Sequence, residues 1–188
     1  DTKALANAYG RLGALMLLLE VETQADACFR NAATLDPNEI RWPYYAGYLA
    51  MMVGNGTKAL DYLRTADAIA PDYKPLQMRV GKVHLDLSEL SQARAAFETI
   101  ANEPGLAAAA NYYLGQIANL ERRFQDAIEF LNKALEANPD AVEAHYPLAQ
   151  AYRALGENTL AREHLSRFEN RSPTFDDPLL DQLRAATK

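Results

Sequence analysis

The chain has 188 residues, 49% of them apolar and 23% charged, with a formal net charge of −6. That length and balance suit one globular domain with a sizeable core and exclude a disordered tail. An acidic chain without a basic block lacks the clustered cations that phosphates need, which excludes nucleic acid as a partner. No stretch is long enough to span a bilayer, and a single cysteine, Cys28, leaves no internal disulfide to form.

The most apolar run, Leu12–Leu19, is cut short by Glu20 and Glu22 and has no small-residue cleavage site after it. A repeat explains it better. Pro37, Pro71, Pro139 and Pro173 fall at steps of 34, 68 and 34, with Pro104-Gly105 in the middle of the long gap. Five ungapped 34-residue units follow, at 6–39, 40–73, 74–107, 108–141 and 142–175, and 176–188 remain.

In chain order, the first unit carries Leu12-Gly13, then Ala25, Phe29 and Ala32, and ends at Asp36-Pro37-Asn38. The second has Ala46-Gly47, the breakers Gly54 and Gly56, then Ala59, Leu63 and Ala66, and ends at Pro71-Asp72. The third has Val80-Gly81, Ser88 and Ser91, then Ala93, Phe97 and Ile100. The fourth has Leu114-Gly115, then Ala127, Leu131 and Ala134, and ends at Asn138-Pro139-Asp140. The fifth has Leu148-Ala149, Gly156 and Asn158, then Ala161, Leu165 and Phe168.

Each unit therefore reads as helix, turn, helix. Glycine inside a helix costs roughly 1 kcal/mol against alanine, so four at one phase imply close approach of two helices. The phase predicts that the glycine faces the small Ala of the second helix. The acid or amide beside each closing proline is predicted to cap the next helix. The last segment, with Asp177 as N-cap, Pro178 in the first turn and Leu179, Leu180 and Leu183 on one face, reads as a capping helix. No matching cap precedes the first unit, which suggests a piece of something longer or a first helix that meets a partner.

These phases make the chain similar to the tetratricopeptide repeat (TPR) family. The likeness covers about nine tenths of the chain. It implies an all-α fold: a right-handed α-solenoid of five helix-turn-helix repeats plus a C-terminal capping helix, in a single domain over 1–188. The fourth position departs from the pattern, being aromatic in Tyr9 but Pro43, Gln77, Asn111 and His145 later. The strings AYGRLG, ACFRNAATLDP, RWPYYAG and HYPLAQAYRALG resemble exported bacterial repeat proteins, which implies a bacterial, periplasmic setting.

In this family the first helices line a concave groove. Carried over, its fifth positions are Tyr44, Met78, Tyr112 and Tyr146. Its ninth positions are Tyr48, Lys82, Gln116 and Gln150, and its twelfth include Met51, Asn119 and Arg153. The tyrosines offer stiff contact area with a hydroxyl, and the polar side chains suit an extended peptide backbone. The implied function is a protein-interaction scaffold that holds a peptide or partner segment there. The alternatives are self-association through the N-terminal apolar face with Leu17, Leu18, Met51 and Met52, or an accessory domain of a larger enzyme.

Some family members grip a terminal carboxylate. Of the five residues at the corresponding positions, Gly10, Ala14, Tyr45, Pro75 and Arg79, only Arg79 suits that task, so a carboxylate clamp is not expected. His84, His145 and His164 have no Cys or carboxylate spaced as metal partners, and no catalytic or nucleotide-binding motif is present. Neither catalysis, metal nor cofactor is expected.

Overall fold

A computed structural model describes residues 1–186, and all the regular structure among them is helical. The first repeat forms α1 (Thr2–Leu18) and α2 (Glu22–Leu35), and the second forms α3 (Arg41–Met52) and α4 (Gly56–Ile69). The third supplies α5 (Pro75–Asp86) and α6 (Leu90–Glu98), and the fourth α7 (Ala107–Leu120) and α8 (Phe124–Ala137). A 3-10 turn, Val142–Ala144, leads into α9 (His145–Ala154) and α10 (Asn158–Arg167) of the fifth, and α11 (Pro178–Ala185) follows.

Every hairpin turns in the same way. Glu20, Gly54, Ser88, Arg122 and Gly156 have φ between 58° and 84°, and they lie 34 residues apart. The amide after each donates to a carbonyl five residues back, as in Asn55 to Ala50 and Arg123 to Ala118, both at 2.8 Å. This left-handed C-terminal cap satisfies carbonyls that the helix end would otherwise leave open. Only two of the five residues are glycine, although a side chain there costs about 1 kcal/mol or more.

The glycine phase works through a different partner from the small one expected. A Cβ on Gly13 would meet three ring atoms of Phe29, and one on Gly47 or Gly115 would meet Leu63 or Leu131 first. The glycine thus makes room for the large residue of the second helix, not for its alanine. The expected caps differ as well. Ile40 and Lys74 precede α3 and α5 without a side-chain cap bond. Side-chain caps form at Asp1 and Asn55, and at Asp177 as its sequence predicts.

The contacts divide the chain into two compact units. The first holds residues 1–89 and the segment beginning at Asp177, and the second holds 90–176. Phe29, Leu63 and Leu76 are fully buried in the first, with Leu180 beside them in the same core. Leu131, Leu148 and Ala118 centre the second. Burying a side chain of this size contributes about 1.5–3 kcal/mol.

Candidate functional site

The first-helix face of each unit is occupied by a segment of the chain itself. In the first unit the occupant is α11. Its apolar stripe, Leu179, Leu180 and Leu183, is buried in the core formed by α1 to α5. Asp177 anchors it. The Tyr44 hydroxyl donates to Asp177 Oδ2 at 2.6 Å, and Arg79 donates to the same oxygen through Nη2 at 2.6 Å and Nε at 3.1 Å. The Tyr73 hydroxyl donates to Oδ1 at 2.9 Å, and the Leu180 amide donates to Oδ1 at 3.3 Å. Tyr73 in turn accepts from the Leu179 amide at 3.0 Å.

One buried carboxylate thus receives two phenols, a guanidinium and its own helix cap. Such charge-assisted bonds are short and about twice as strong as neutral ones. Burial, with Asp177 adding to it, pushes the Tyr44 phenol far above its ordinary range. Burial also raises Tyr73. Burial alone would lower Arg79, but the Tyr44 oxygen and Asp177 outweigh it and hold the guanidinium above its usual value. The Arg79 guanidinium also lies 5.3 Å from the Tyr48 ring centre.

In the second unit the segment after α10 has no regular structure. After α10, Phe168 sets its ring 5.2 Å from that of Tyr146. Arg171 donates to the buried Glu143 carboxylate at 3.1 Å. The Asp176 amide then donates to the Gly105 carbonyl at 3.3 Å. Gly105 has φ +75°, and a Cβ there would run into the Asp176 carboxylate.

The sequence-predicted residues separate accordingly. Tyr44 and Met78 are 0% and 1% exposed, and Tyr44 packs in the same core as α11. Neither side chain is therefore open to an outside partner in this structure, and at Tyr44 the hydroxyl is taken by Asp177 of the tail. Tyr48 and Met51 are half-buried against the same core. Lys82 pairs with Asp86 at 2.7 Å. The second-unit residues are more open. Tyr112 is half-buried and accepts from Gln116 Nε2 at 2.7 Å. Asn119 donates to the Pro147 carbonyl at 2.9 Å, while its buried Oδ1 accepts nothing among the described residues. Tyr146 is 44% exposed, and Gln150 and Arg153 are exposed.

Arg79 and Tyr73 went unrecognised as site residues from sequence. Arg79 was visible as the one clamp-like position. Its carboxylate is internal, and charge-assisted bonds do come from this groove after all.

His145 and His164 come together in the second unit, with Nδ1 atoms 2.9 Å apart. Burial lowers both, and for His145 its partner adds to the effect. A hydrogen bond between two Nδ1 atoms needs one to carry the proton and the other to accept it.

Two family models, each described as Tetratricopeptide repeat, match residues 80–141 and 118–186, together more than half of the chain. No curated protein matches it. Among solved structures it is similar to MamA (41-end) from Desulfovibrio magneticus RS-1, at 18% identity over 98% of both chains, with a TM-score of 0.80. It is similar to pilF of Pseudomonas aeruginosa at 15% identity over 99% of this chain and 88% of that one, with a TM-score of 0.77. YrrB, whose structure is described as that of a TPR protein with an unusual peptide-binding site, is 22% identical over 85% of this chain and 82% of its own, with a TM-score of 0.68. At these identities the likeness is one of fold. No helix among the described residues is long and apolar enough to cross a membrane.

Proposed function

Because the chain belongs to the tetratricopeptide repeat family, we propose that this protein-interaction scaffold takes a peptide or partner segment on the face of its first helices. One observation carries the reading: in each unit first-helix residues already contact a segment of the chain itself, helical in one and irregular in the other. A surface that binds the protein's own backbone and side chains has the chemistry to bind another's. In the second unit the open part of the face runs through Tyr112, Gln116, Tyr146, Gln150 and Arg153, an aromatic and polar row suited to an extended peptide. The peptide-binding site named for YrrB supports the same use of the fold.

The test is selection of peptides from a random display library on the intact protein. Tyr146→Ala with Arg153→Ala should weaken the selected peptides tenfold or more, with the circular dichroism unchanged. Undiminished binding by that variant would remove the second-unit face from the proposal.

A second reading, self-association through the N-terminal apolar face, is favoured by Leu18 at 62% and Met52 at 59% exposure. Light scattering over a concentration series decides it, since a monomer throughout would exclude a dimer.

A further inference from the structure

Each later first helix in this fold turns one face toward the hairpin before it: α3 packs on α2, α5 on α4, α7 on α6 and α9 on α8. Positions three and ten of the repeat lie on that face. A Cβ on Gly10 of α1 would run into the ring of Trp42, at position three of the second repeat. Leu49, at position ten, lines a cleft with Thr23 and Asp26 of α2. In the second to fifth repeats the residues at these two positions, from Trp42 and Leu49 to Ala144 and Ala151, are at most 3% exposed. On α1 the same positions are Ala8 and Leu15, and both are exposed, Leu15 at 42%. Leu12 lies between them at 40% and Leu19 ends the stripe at 67%.

The surface that would complement this face is open as well. Position twenty-four is where a second helix meets the next hairpin: Phe29 stands edge-on to Tyr45, and Phe97 stacks on Tyr113. Phe29, Leu63, Phe97 and Leu131 are fully buried at that position, but Leu165 of α10 is 45% exposed. Solenoids ordinarily close such faces with polar residues. Here leucines stand on both, in the register that the internal contacts use.

Helix lengths and charges match across the two surfaces. Helices α2, α4 and α8 run to position thirty, whereas α10 stops at Arg167, about one turn earlier. Helix α1 starts at Thr2, about one turn ahead of the phase at which α3 and α5 start. The end of each second helix lies beside the start of the next first helix, so the short one leaves room for the long one. Inside each unit a charge at position twenty-one meets its opposite from the following hairpin: Asp26 pairs with Lys58 at 2.9 Å, and Arg94 pairs with Glu121. On α10 that position is Arg162, which is exposed, and Glu20 and Glu22 stand exposed beside the α1 stripe.

From this we infer that a second copy of this chain covers the α1 face, its α10 packing against α1 as α2 packs against α3. The contact is head-to-tail and uses two different surfaces. It rests on the self-association reading and deepens it by naming the surface that the N-terminal apolar face meets.

The experiment is sedimentation equilibrium on the full chain and on variants blocked at one surface each. The parent should gain mass with concentration. Ala8→Arg places a long side chain in the seam at an exposed position, and Leu165→Asp places a charge on the other surface. Each variant alone should lose at least thirtyfold in association, as for a central contact. An equimolar mixture of the two should form a species of two chains and stop there, because each variant keeps the surface that the other has lost. Arg162→Glu should weaken association about tenfold, and adding Glu20→Arg with Glu22→Arg should restore it. All these positions are exposed, so thermal melts should match the parent's; Leu12→Lys is a second block on the α1 face should Ala8→Arg fail to fold.

Three results would overturn the inference. One is a parent that is monomeric at every concentration, which leaves the α1 face to a different protein. Another is a Leu165→Asp variant that associates as the parent does, which would make the seam a symmetric pair of α1 helices. The third is a mixture of the two blocked variants that stays monomeric. Assembly that survives Ala8→Arg but is lost in Leu18→Asp with Met52→Asp would keep the self-association reading and remove this seam alone.

Discussion

Replacing Gly13 by alanine tests the packing rule that recurs in this fold. A Cβ there would stand 2.7, 2.9 and 3.1 Å from three ring atoms of Phe29, whereas ordinary contact begins at 3.4 Å. The ring must therefore retreat by 3.4 − 2.7 = 0.7 Å. Phe29 is fully buried and its ring lies edge-on to Tyr45 at 5.7 Å, so it has little room to move. Overpacking of this kind costs about 1–3 kcal/mol. Alanine recovers about 1 kcal/mol of helix propensity, which leaves a net loss of about 0–2 kcal/mol. The sharper measure is a double-mutant cycle in urea. Phe29→Ala alone should cost about 3–5 kcal/mol. The new methyl group then partly fills the cavity, so the double variant should be more stable than the sum by about 1–3 kcal/mol. Ala25→Gly, which the phase places opposite Gly13, should show no such rescue. Additivity within about 0.5 kcal/mol for the Phe29 pair would refute the assignment of the glycine to the large residue.

Glu20→Gly, Ser88→Gly and Arg122→Gly should each stabilise the protein by about 1 kcal/mol in thermal melts, because each relieves a left-handed residue at a hairpin turn. Gly105→Ala should do the opposite and also speed hydrogen exchange at the Asp176 amide, which the Gly105 carbonyl holds. The His145–His164 pair predicts acid sensitivity. Both folded-state values lie below the unfolded one, so the stabilisation is full above about pH 6.5 and is lost as the pH falls through the lowered values. Protection factors of α9 and α10 amides, corrected for the slower chemical exchange in acid, should fall on going from pH 7 to pH 5, and His164→Phe should flatten that profile. Among the tyrosines, burial pushes Tyr45 up to about 12 and Tyr44 further. Their stabilisation is complete below the unfolded phenol value near 10 and is lost as the pH rises through the folded ones. Ultraviolet absorbance titration should therefore show Tyr44 ionising only together with alkaline unfolding.

What could be read from sequence follows from the range of the interactions that write it. The hairpins were legible because each is local: Ala25, Ala59, Ala93, Ala127 and Ala161 recur at one phase, and all five are buried. The partner of the glycine was misread because position alone does not say which neighbour, Ala25 or Phe29, comes closest. Helix α11 was legible as amphipathic, with its cap at Asp177. Its destination was not. The Tyr44–Asp177 bond joins residues 133 apart, and no periodicity encodes a contact made once. Tyr44 therefore looked like a groove anchor open to partners, although α11 covers it. Tyr146, Gln150 and Arg153 are exposed, since only a short irregular segment passes near Tyr146.

The first unit is assembled from two stretches of chain with a whole unit between them. That order has a consequence in time. During synthesis α1 to α5 emerge long before Asp177, and at about 5–20 residues per second the wait is roughly 4–18 s. Throughout that interval the Asp177 carboxylate that Tyr44, Tyr73 and Arg79 bond in the finished chain is not yet made. A nascent chain therefore passes through a stage in which its first unit lacks the helix that completes its core.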